Sequence, residues 1–195
     1  MKWRFVILGV SVAAMLCVLA LAPAARSLGG RPIPFVGMSM TYYANRGGDF
    51  VSRPVVVLSY DAQSNTVLIR DGTDWLRVNV ATREITWSTS SLYKVGDAVE
   101  YWIPTNVRVG SLVKIISDQA RVVGSATLSV QGRNVLCWQL YIAWTDSSGK
   151  IVAEDTWYYE MTKGLWIAAS FVQYDSNGLP TFNWGGHLAS TNVPF

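Results

Sequence analysis

The chain has 195 residues, of which 50% are hydrophobic and 15% are charged, and its formal net charge at pH 7 is +3. Its lysines and arginines are scattered singly, so the sequence lacks the basic stripe that neutralises nucleic-acid phosphates, and we expect no nucleic-acid partner. One histidine and two cysteines are too few for an ordinary transition-metal site, and we expect no metal and no cofactor.

The N-terminus has the pattern of a secretory signal. Lys2 and Arg4 accompany an apolar run over residues 5–22, and small residues predict cleavage after Ala24. A run of about 18 residues is also at the lower edge of what spans a bilayer as a helix. An uncleaved anchor, with membrane contact only through residues 5–22, therefore stays open. Either outcome predicts a secreted or cell-surface protein.

Processing would change both the charge and the cysteine content. Without residues 1–24 the net charge falls to +1, because Lys2 and Arg4 leave and no acidic residue leaves with them. Cys137 is then the only cysteine, so no intramolecular disulfide can form and packing must stabilise the fold. Large apolar neighbours predict that Cys137 is a buried small hydrophobe.

The next segments predict a linker and then short strands. Residues 25–35 contain two adjacent glycines and two prolines, which favour an extended linker ahead of a single β domain over residues 36–195. β-branched and aromatic runs alternate with turn residues, and Asp71-Gly72 is the clearest turn. Strands are predicted near 36–43, 55–60, 66–70, 75–80 and 84–88.

The middle of the domain is the least regular part. Residues 88–110 mix turn formers with apolar residues, and Pro104 would stop a strand or a helix. We predict a connection here that contains one short strand near residues 98–103.

The second half predicts six longer strands joined by short turns. The turns are "QGRN", "TDSSGK", "MTKG" and "DSNGLP". No segment has the apolar spacing of three and four that a packed helix needs. The fold class is therefore all-β, with ten or eleven mostly antiparallel, meandering strands. The six strands are expected near 111–117, 120–131, 134–144, 151–160, 164–174 and 181–190.

Alternation along these strands assigns side chains to faces. Trp157 and Tyr159 share a face opposite Tyr158, and Trp166 is placed opposite Phe171. Strand 120–131 is predicted to keep Ala120, Val122, Gly124, Ala126, Leu128 and Val130 on one face. Strand 134–144 is apolar on both faces, so a second layer must cover it. The sheet is therefore either a strongly curved open barrel or half-barrel, or one layer of a two-layer sandwich.

The C-terminal half resembles a loose set of secreted prokaryotic proteins. The strand "VQGRNVLCWQL" and the hairpin "TWYYEMTKGLWIA" carry this resemblance, which covers about residues 98–192. The set includes uncharacterised exported archaeal β-domains and bacterial periplasmic domains similar to the lipoprotein-carrier half-barrels. The resemblance implies an exported, curved β-sheet with an apolar concavity. It implies no catalytic residues, and the chain lacks the helices that line the concavity of the carriers.

The residues that could support catalysis are few. His187 is the only histidine, and nothing around it resembles a nucleophile elbow. Glu154 and Glu160 share a face but lie about 20 Å apart by strand rise, too far for a glycosidase pair. A pairing of Glu100 with Asp155 across strands stays open. We predict a protein without enzymatic activity and keep a secreted glycan hydrolase as the less favoured alternative.

The leading hypothesis is a non-catalytic exported β-domain that binds an apolar, lipid-like ligand or a partner at the cell surface. The tryptophan-rich strands supply the candidate ligand-binding residues, which are Trp138, Trp144, Trp157, Tyr159 and Trp166.

A second hypothesis is a self-assembling surface or filament subunit. In it, residues 26–43 would pair with an open sheet edge of a neighbouring copy and form a homo-oligomer by β-strand addition.

Overall fold

The computed structural model describes residues 31–46 and 49–195. The predicted signal and the first part of the predicted linker lie outside this range. Within it, no helix is long and apolar enough to cross a membrane. Ile33 and Phe35, from the predicted linker, pack against the hydrophobic core.

Eleven antiparallel strands form one open, curved sheet, in the order β5-β4-β3-β2-β1-β11-β10-β9-β8-β7-β6. This confirms the all-β prediction and favours the curved open barrel over the two-layer sandwich. The strands are β1 (Ser39–Arg46), β2 (Asp49–Asp61), β3 (Thr66–Asp71), β4 (Asp74–Asn79), β5 (Ile85–Ser88), β6 (Leu112–Ile115), β7 (Asp118–Val130), β8 (Arg133–Thr145), β9 (Ile151–Glu160), β10 (Trp166–Tyr174) and β11 (Pro180–Thr191).

The first strand lies in the middle of the sheet. β1 pairs with β2 on one side and with the last strand, β11, on the other; Tyr42 lies opposite both Arg53 and Leu188. Both edges of β1 are therefore paired with strands of the same chain. Residues 39–43 are not free to add to a neighbouring sheet, which corrects that part of the strand-addition hypothesis.

Two β-bulges change the predicted faces. The register of β7 shifts between Val122 and Gly124, and that of β10 shifts between Trp166 and Ala168. Each extra residue reverses the alternation beyond it. Gly124, Ala126, Leu128 and Val130 therefore face opposite to Val122, and Trp166 lies on the same face as Phe171. Both single-face predictions were wrong for this reason, whereas the faces of Trp157 and Tyr158 are as predicted.

The connection between β5 and β6 spans residues 89–111; its buried middle, residues 98–103, lies inside the curve of the sheet, and we call these six residues the inner segment. The predicted strand at 98–103 is wrong: this stretch forms only isolated bridges, although every side chain in it is buried. Ala98 bridges Glu84 and Ile116, so it joins the two ends of the open sheet. Ile103 N–H donates to the Gly164 carbonyl at 2.8 Å. A Cβ on Gly164 would lie 2.2 Å from Ile103 O, so only glycine permits this approach.

The outer face of the β7–β8 hairpin is covered by the C-terminal residues. Val193 is buried, Arg133 Nη1 donates to the Phe195 carbonyl at 3.2 Å, and Gln131 Nε2 donates to the Ala189 carbonyl at 3.2 Å. Cys137 and Leu140, on opposite faces of β8, are both fully buried. Strand 134–144 is therefore covered on both faces at these two positions.

Candidate functional site

The concave face carries a continuous row of aromatic side chains. Tyr42 stacks on Trp166 with ring centroids 4.1 Å apart, and Trp166 lies 5.3 Å from Trp157. Trp157 in turn stacks on Tyr159 at 6.4 Å. Tyr101 of the inner segment stacks on Tyr42 from above, also at 6.4 Å. The inner segment therefore covers this part of the row as a second layer.

A buried polar cluster attaches the inner segment to the sheet. Arg53 on β2 forms a bidentate pair with Asp71 on β3 and reaches Glu100 of the inner segment at 3.2 Å. Tyr101 donates its hydroxyl to Asp71 Oδ2 at 2.7 Å. Tyr93 accepts a hydrogen bond from Arg53 and donates one to Glu100. Two carboxylates, one guanidinium and two phenols thus form one network.

Burial controls the ionisation of this network. It raises the pKa of Glu100 although Arg53 and the Tyr93 hydroxyl favour the charged form, and Glu100 Oε2 has no hydrogen-bond partner. Burial also raises the pKa of Tyr93 and Tyr101. It opposes the charge on Arg53, but Tyr101, Glu100 and Asp71 outweigh it and raise the pKa of that guanidinium. Arg53 therefore stays charged and is the counterion for both acids.

A second buried arginine holds the inner segment by its backbone. Arg83 Nη1 donates to the carbonyls of Val99 at 3.2 Å and Trp102 at 2.9 Å, and Nη2 donates to the Lys114 carbonyl at 2.6 Å. One side chain therefore joins the turn after β4, the inner segment and β6. These contacts satisfy carbonyls in an irregular segment that has no ladder partners.

The other end of the concave face is not fully covered. Along β9, Tyr159 and Asp155 are buried and Ala153 is half-buried; along β11, Leu188 is buried and Trp184 is half-buried. We call the half-buried aromatic group at this end the open basin. Its members are Trp144, Phe171, Phe182 and Trp184, with Phe171 in edge contact with Trp144 at 5.9 Å and with Phe182 at 6.1 Å.

A buried acid lies beside the open basin. Asp155 pairs in register with Ile142 and Phe171, and its Oδ1 has no hydrogen-bond partner. Burial raises the pKa of Asp155 to about 7, and the Asp118 carboxylate adds to the rise. The Trp157 indole N–H is near enough to lower that pKa, but the two groups do not meet hydrogen-bond geometry. The basin therefore has an apolar wall and a carboxyl that titrates near neutral pH.

The five predicted ligand-binding residues fall into different environments. Trp157, Tyr159 and Trp166 lie beneath the inner segment and are at most 4% exposed. Trp138 lies beside Tyr159 in register and is half-buried, and Trp144 lines the open basin. Of the five, Trp144 alone belongs to the open basin, and Trp138 is half-buried outside it. Ligand binding by the set stays a prediction.

The other candidates for chemistry are separated. Glu100 belongs to the Arg53 cluster, whereas Asp155 lies on β9 beside Trp157, so the two do not form one site. Glu154 accepts hydrogen bonds from Tyr141 at 2.7 Å and from Tyr174, on the opposite face of the sheet to Asp155. Across the part of the chain that the structure describes, no group of three or more His, Cys, Asp or Glu residues could hold a metal ion.

His187 lies beside a shallow groove. Its ring meets that of Tyr43 edge-on at 6.0 Å, and the groove, of about 510 Å³, runs between these residues and the tip of the β7–β8 hairpin. Its floor includes Leu128 and Ala168. The contact that the structure gives the His187 ring is the one with Tyr43.

Cys137 is expected to be unreactive in the folded protein. Its thiol is fully buried, and burial raises its pKa to about 12, so almost no thiolate is present at pH 8. For the chain from residue 25, which lacks Cys17, we predict no reaction with a disulfide reagent such as Ellman's reagent in buffer and one equivalent in denaturant. A stoichiometric reaction in buffer within minutes would contradict the prediction.

Comparison with known proteins yields matches in fold only. No family model and no curated protein matches the chain. Among solved structures, the hypothetical lipoprotein YmcC from Escherichia coli K12 is 15% identical with a TM-score of 0.38, over 85% of this chain and 92% of that chain. A putative exported protein with a YmcC-like fold from Bacteroides fragilis is 9% identical with a TM-score of 0.43, over 84% and 98%.

A further match comes from the complex of Pseudomonas aeruginosa MucA and MucB. It is 10% identical with a TM-score of 0.37, over 81% of this chain and 53% of that chain. These likenesses, to lipoproteins, an exported protein and a two-protein complex, concern the fold alone. The resemblance to archaeal exported domains and to the lipoprotein carriers stays a prediction.

Proposed function

We propose that this protein is a non-catalytic exported β-domain that binds an apolar, lipid-like ligand in the open basin. One observation carries the proposal: the aromatic row of the concave face continues beyond the inner segment, where four large rings remain half-buried. Ligand sites are typically concave and mostly apolar, with few polar groups. Export is supported by the signal pattern over residues 1–24.

The arrangement also limits the size of the ligand. The Arg53 cluster and Arg83 hold the inner segment over the buried part of the row, so a ligand reaches the open basin without displacing it. Trp157 closes the inner end, because its ring lies 6.2 Å from that of Trp184 in an edge-on contact and is itself 4% exposed. The basin therefore suits one acyl chain or a single ring system in preference to a large lipid with several chains.

The proposal predicts saturable binding of an anthroyloxy-labelled stearate to the chain from residue 25, measured by energy transfer from tryptophan. Trp144→Ala and Phe182→Ala, each at the rim of the basin, are expected to weaken the affinity about tenfold, because each removes an aromatic contact worth about 1.4 kcal/mol. Trp75→Ala, an exposed tryptophan on the outer face, is the matched control and should bind as the parent does. Non-saturable binding, or an equal loss in the control, would refute the proposal.

A further inference from the structure

The edge of the sheet at β5 exposes apolar and cationic side chains together. On the outer face, Arg70 pairs in register with Trp75, and Arg77 pairs with Trp87. Trp75 is 38% exposed and Trp87 is 45% exposed. Cross-strand and diagonal neighbours on one face lie within reach of long side chains, so these four residues form one surface.

The loop that follows β5 continues this surface along the open edge. Residues 89–96 leave the strand at Thr89, whose N–H donates to the Trp75 carbonyl at 3.0 Å. They return at Gly96, whose N–H donates to the Ile85 carbonyl at 2.9 Å. Tyr93 points inward to the Arg53 cluster, whereas Leu92 and Val95 are 73% and 70% exposed. Leu92 is the most exposed large hydrophobic residue among those described.

The cations of this edge form no salt bridge. Both salt bridges among the described residues belong to Arg53. Arg70, Arg77 and Lys94 are exposed. Two acids lie near them: the pKa of Asp61, lowered first by a hydrogen bond from Ser64, is lowered further by Arg77, and the Asp97 carboxylate accepts the Lys94 backbone N–H at 2.8 Å. The edge thus combines protruding aliphatic side chains, exposed indoles and cations that lie beyond salt-bridge distance of any carboxylate among the described residues.

We propose that this edge docks the domain on an anionic lipid surface. Leu92 and Val95 enter the headgroup region, Trp75 and Trp87 lie at the interface, and Arg70, Arg77 and Lys94 contact lipid phosphates. Protruding aliphatic residues favour a bilayer over a soluble polyanion, because a polyanion in water offers no apolar phase to bury them. Export carries the chain across a membrane, and if residues 5–22 are retained as an anchor they also hold the domain beside that membrane.

The experiment uses the chain from residue 25, because all eleven strands and the core lie within the compact unit Arg31–Phe195. Co-sedimentation is measured with phosphatidylcholine vesicles and with vesicles that contain about one third phosphatidylglycerol. We expect binding to the anionic vesicles at least about tenfold tighter than to the neutral ones, weakened by salt. R70Q/R77Q is expected to remove most of this preference.

A second pair of variants tests whether Leu92 and Val95 insert into the headgroup region. L92D/V95D is expected to abolish vesicle binding, whereas V109D/L112D, which changes the same residue types at similar exposure elsewhere, should bind within about twofold of the parent. Equal binding to both kinds of vesicle, normal binding of L92D/V95D, an equal loss in the control, or binding of soluble dextran sulfate as tight as that of vesicles would each overturn the proposal. None of these outcomes depends on a ligand in the open basin.

Discussion

Replacing Arg53 with methionine is expected to lower the free energy of unfolding by about 4 kcal/mol. The substitution keeps the length of the side chain but leaves Asp71 and Glu100, at 5% and 2% exposure, without their shared counterion. A buried ion pair adds little net stability as a whole, yet removing one partner leaves the desolvation cost of the other uncompensated. Chemical denaturation by urea at pH 7, followed by circular dichroism, measures the loss.

Two further variants separate the charge effect from packing. R53M/D71N/E100Q removes all three charges with little change in volume and should regain most of the loss. Arg70→Met, on the next strand but facing solvent, should change the free energy of unfolding by less than about 0.5 kcal/mol. If Arg53→Met costs less than about 1 kcal/mol, or if the triple variant is no more stable than the single one, the cluster does not anchor the inner segment as described.

The regular strands could be predicted because each depends on local pattern. Residues 66–71, 74–79 and 151–160 are rich in β-branched or aromatic residues that alternate with polar ones, and short turns rich in polar residues bound them. The pairing of β1 with β11 could not be predicted, because nothing local links Tyr42 to a partner 146 positions along the chain. The bulges at Val123 and Ile167 could not be predicted from a period-two pattern either, because the residue types of the strand do not mark where an extra residue is inserted.

The polar cluster left a signal in the sequence that pointed to burial. Arg53 alternates in phase with Val55 and Val57, and Asp71 alternates with Val67 and Ile69, so each strand places one charge on its apolar face. Opposite charges on the buried faces of neighbouring strands indicate a pair. Glu100 within "AVEYWI" is a third such case. Together these charges are the signal from which the irregular connection could be identified as an interior segment, which was not predicted from the sequence.

The open basin was only partly predictable. Trp144 was predicted because its strand is rich in apolar and aromatic residues. Phe171, Phe182 and Trp184 lie beside it only because β10 and β11 pair next to β9 in this register. Which aromatic residues are covered depends on where the inner segment ends. That boundary is a property of tertiary packing and has no periodic signature in the chain.

Asp155→Asn is expected to stabilise the protein at pH 8 and to leave its stability nearly unchanged at pH 4. The folded-state pKa of Asp155 is raised from 3.8 to about 7, so the folded protein holds this proton more tightly than the unfolded chain does. The stability contributed by this carboxyl is fully present below about pH 4 and is lost as pH rises to about 7. Over that pH range the parent loses about 4 kcal/mol of folding free energy through this carboxyl. The variant loses none, because asparagine does not titrate.

Glu154, the residue before Asp155, is a control whose effect on stability changes with pH in the opposite direction. Hydrogen bonds from Tyr174 and Tyr141 lower the pKa of Glu154, so its contribution to stability is present above the unfolded pKa and is lost as pH falls. Urea denaturation at pH 3, 4.5, 6 and 8 should therefore show Asp155→Asn gaining on the parent between pH 4.5 and 8, and Glu154→Gln falling behind the parent as pH rises from 3 to about 6. If Asp155→Asn shows no gain at pH 8, the prediction is contradicted: hydration through the open basin or hydrogen bonds to the carboxylate then hold its pKa in the ordinary range.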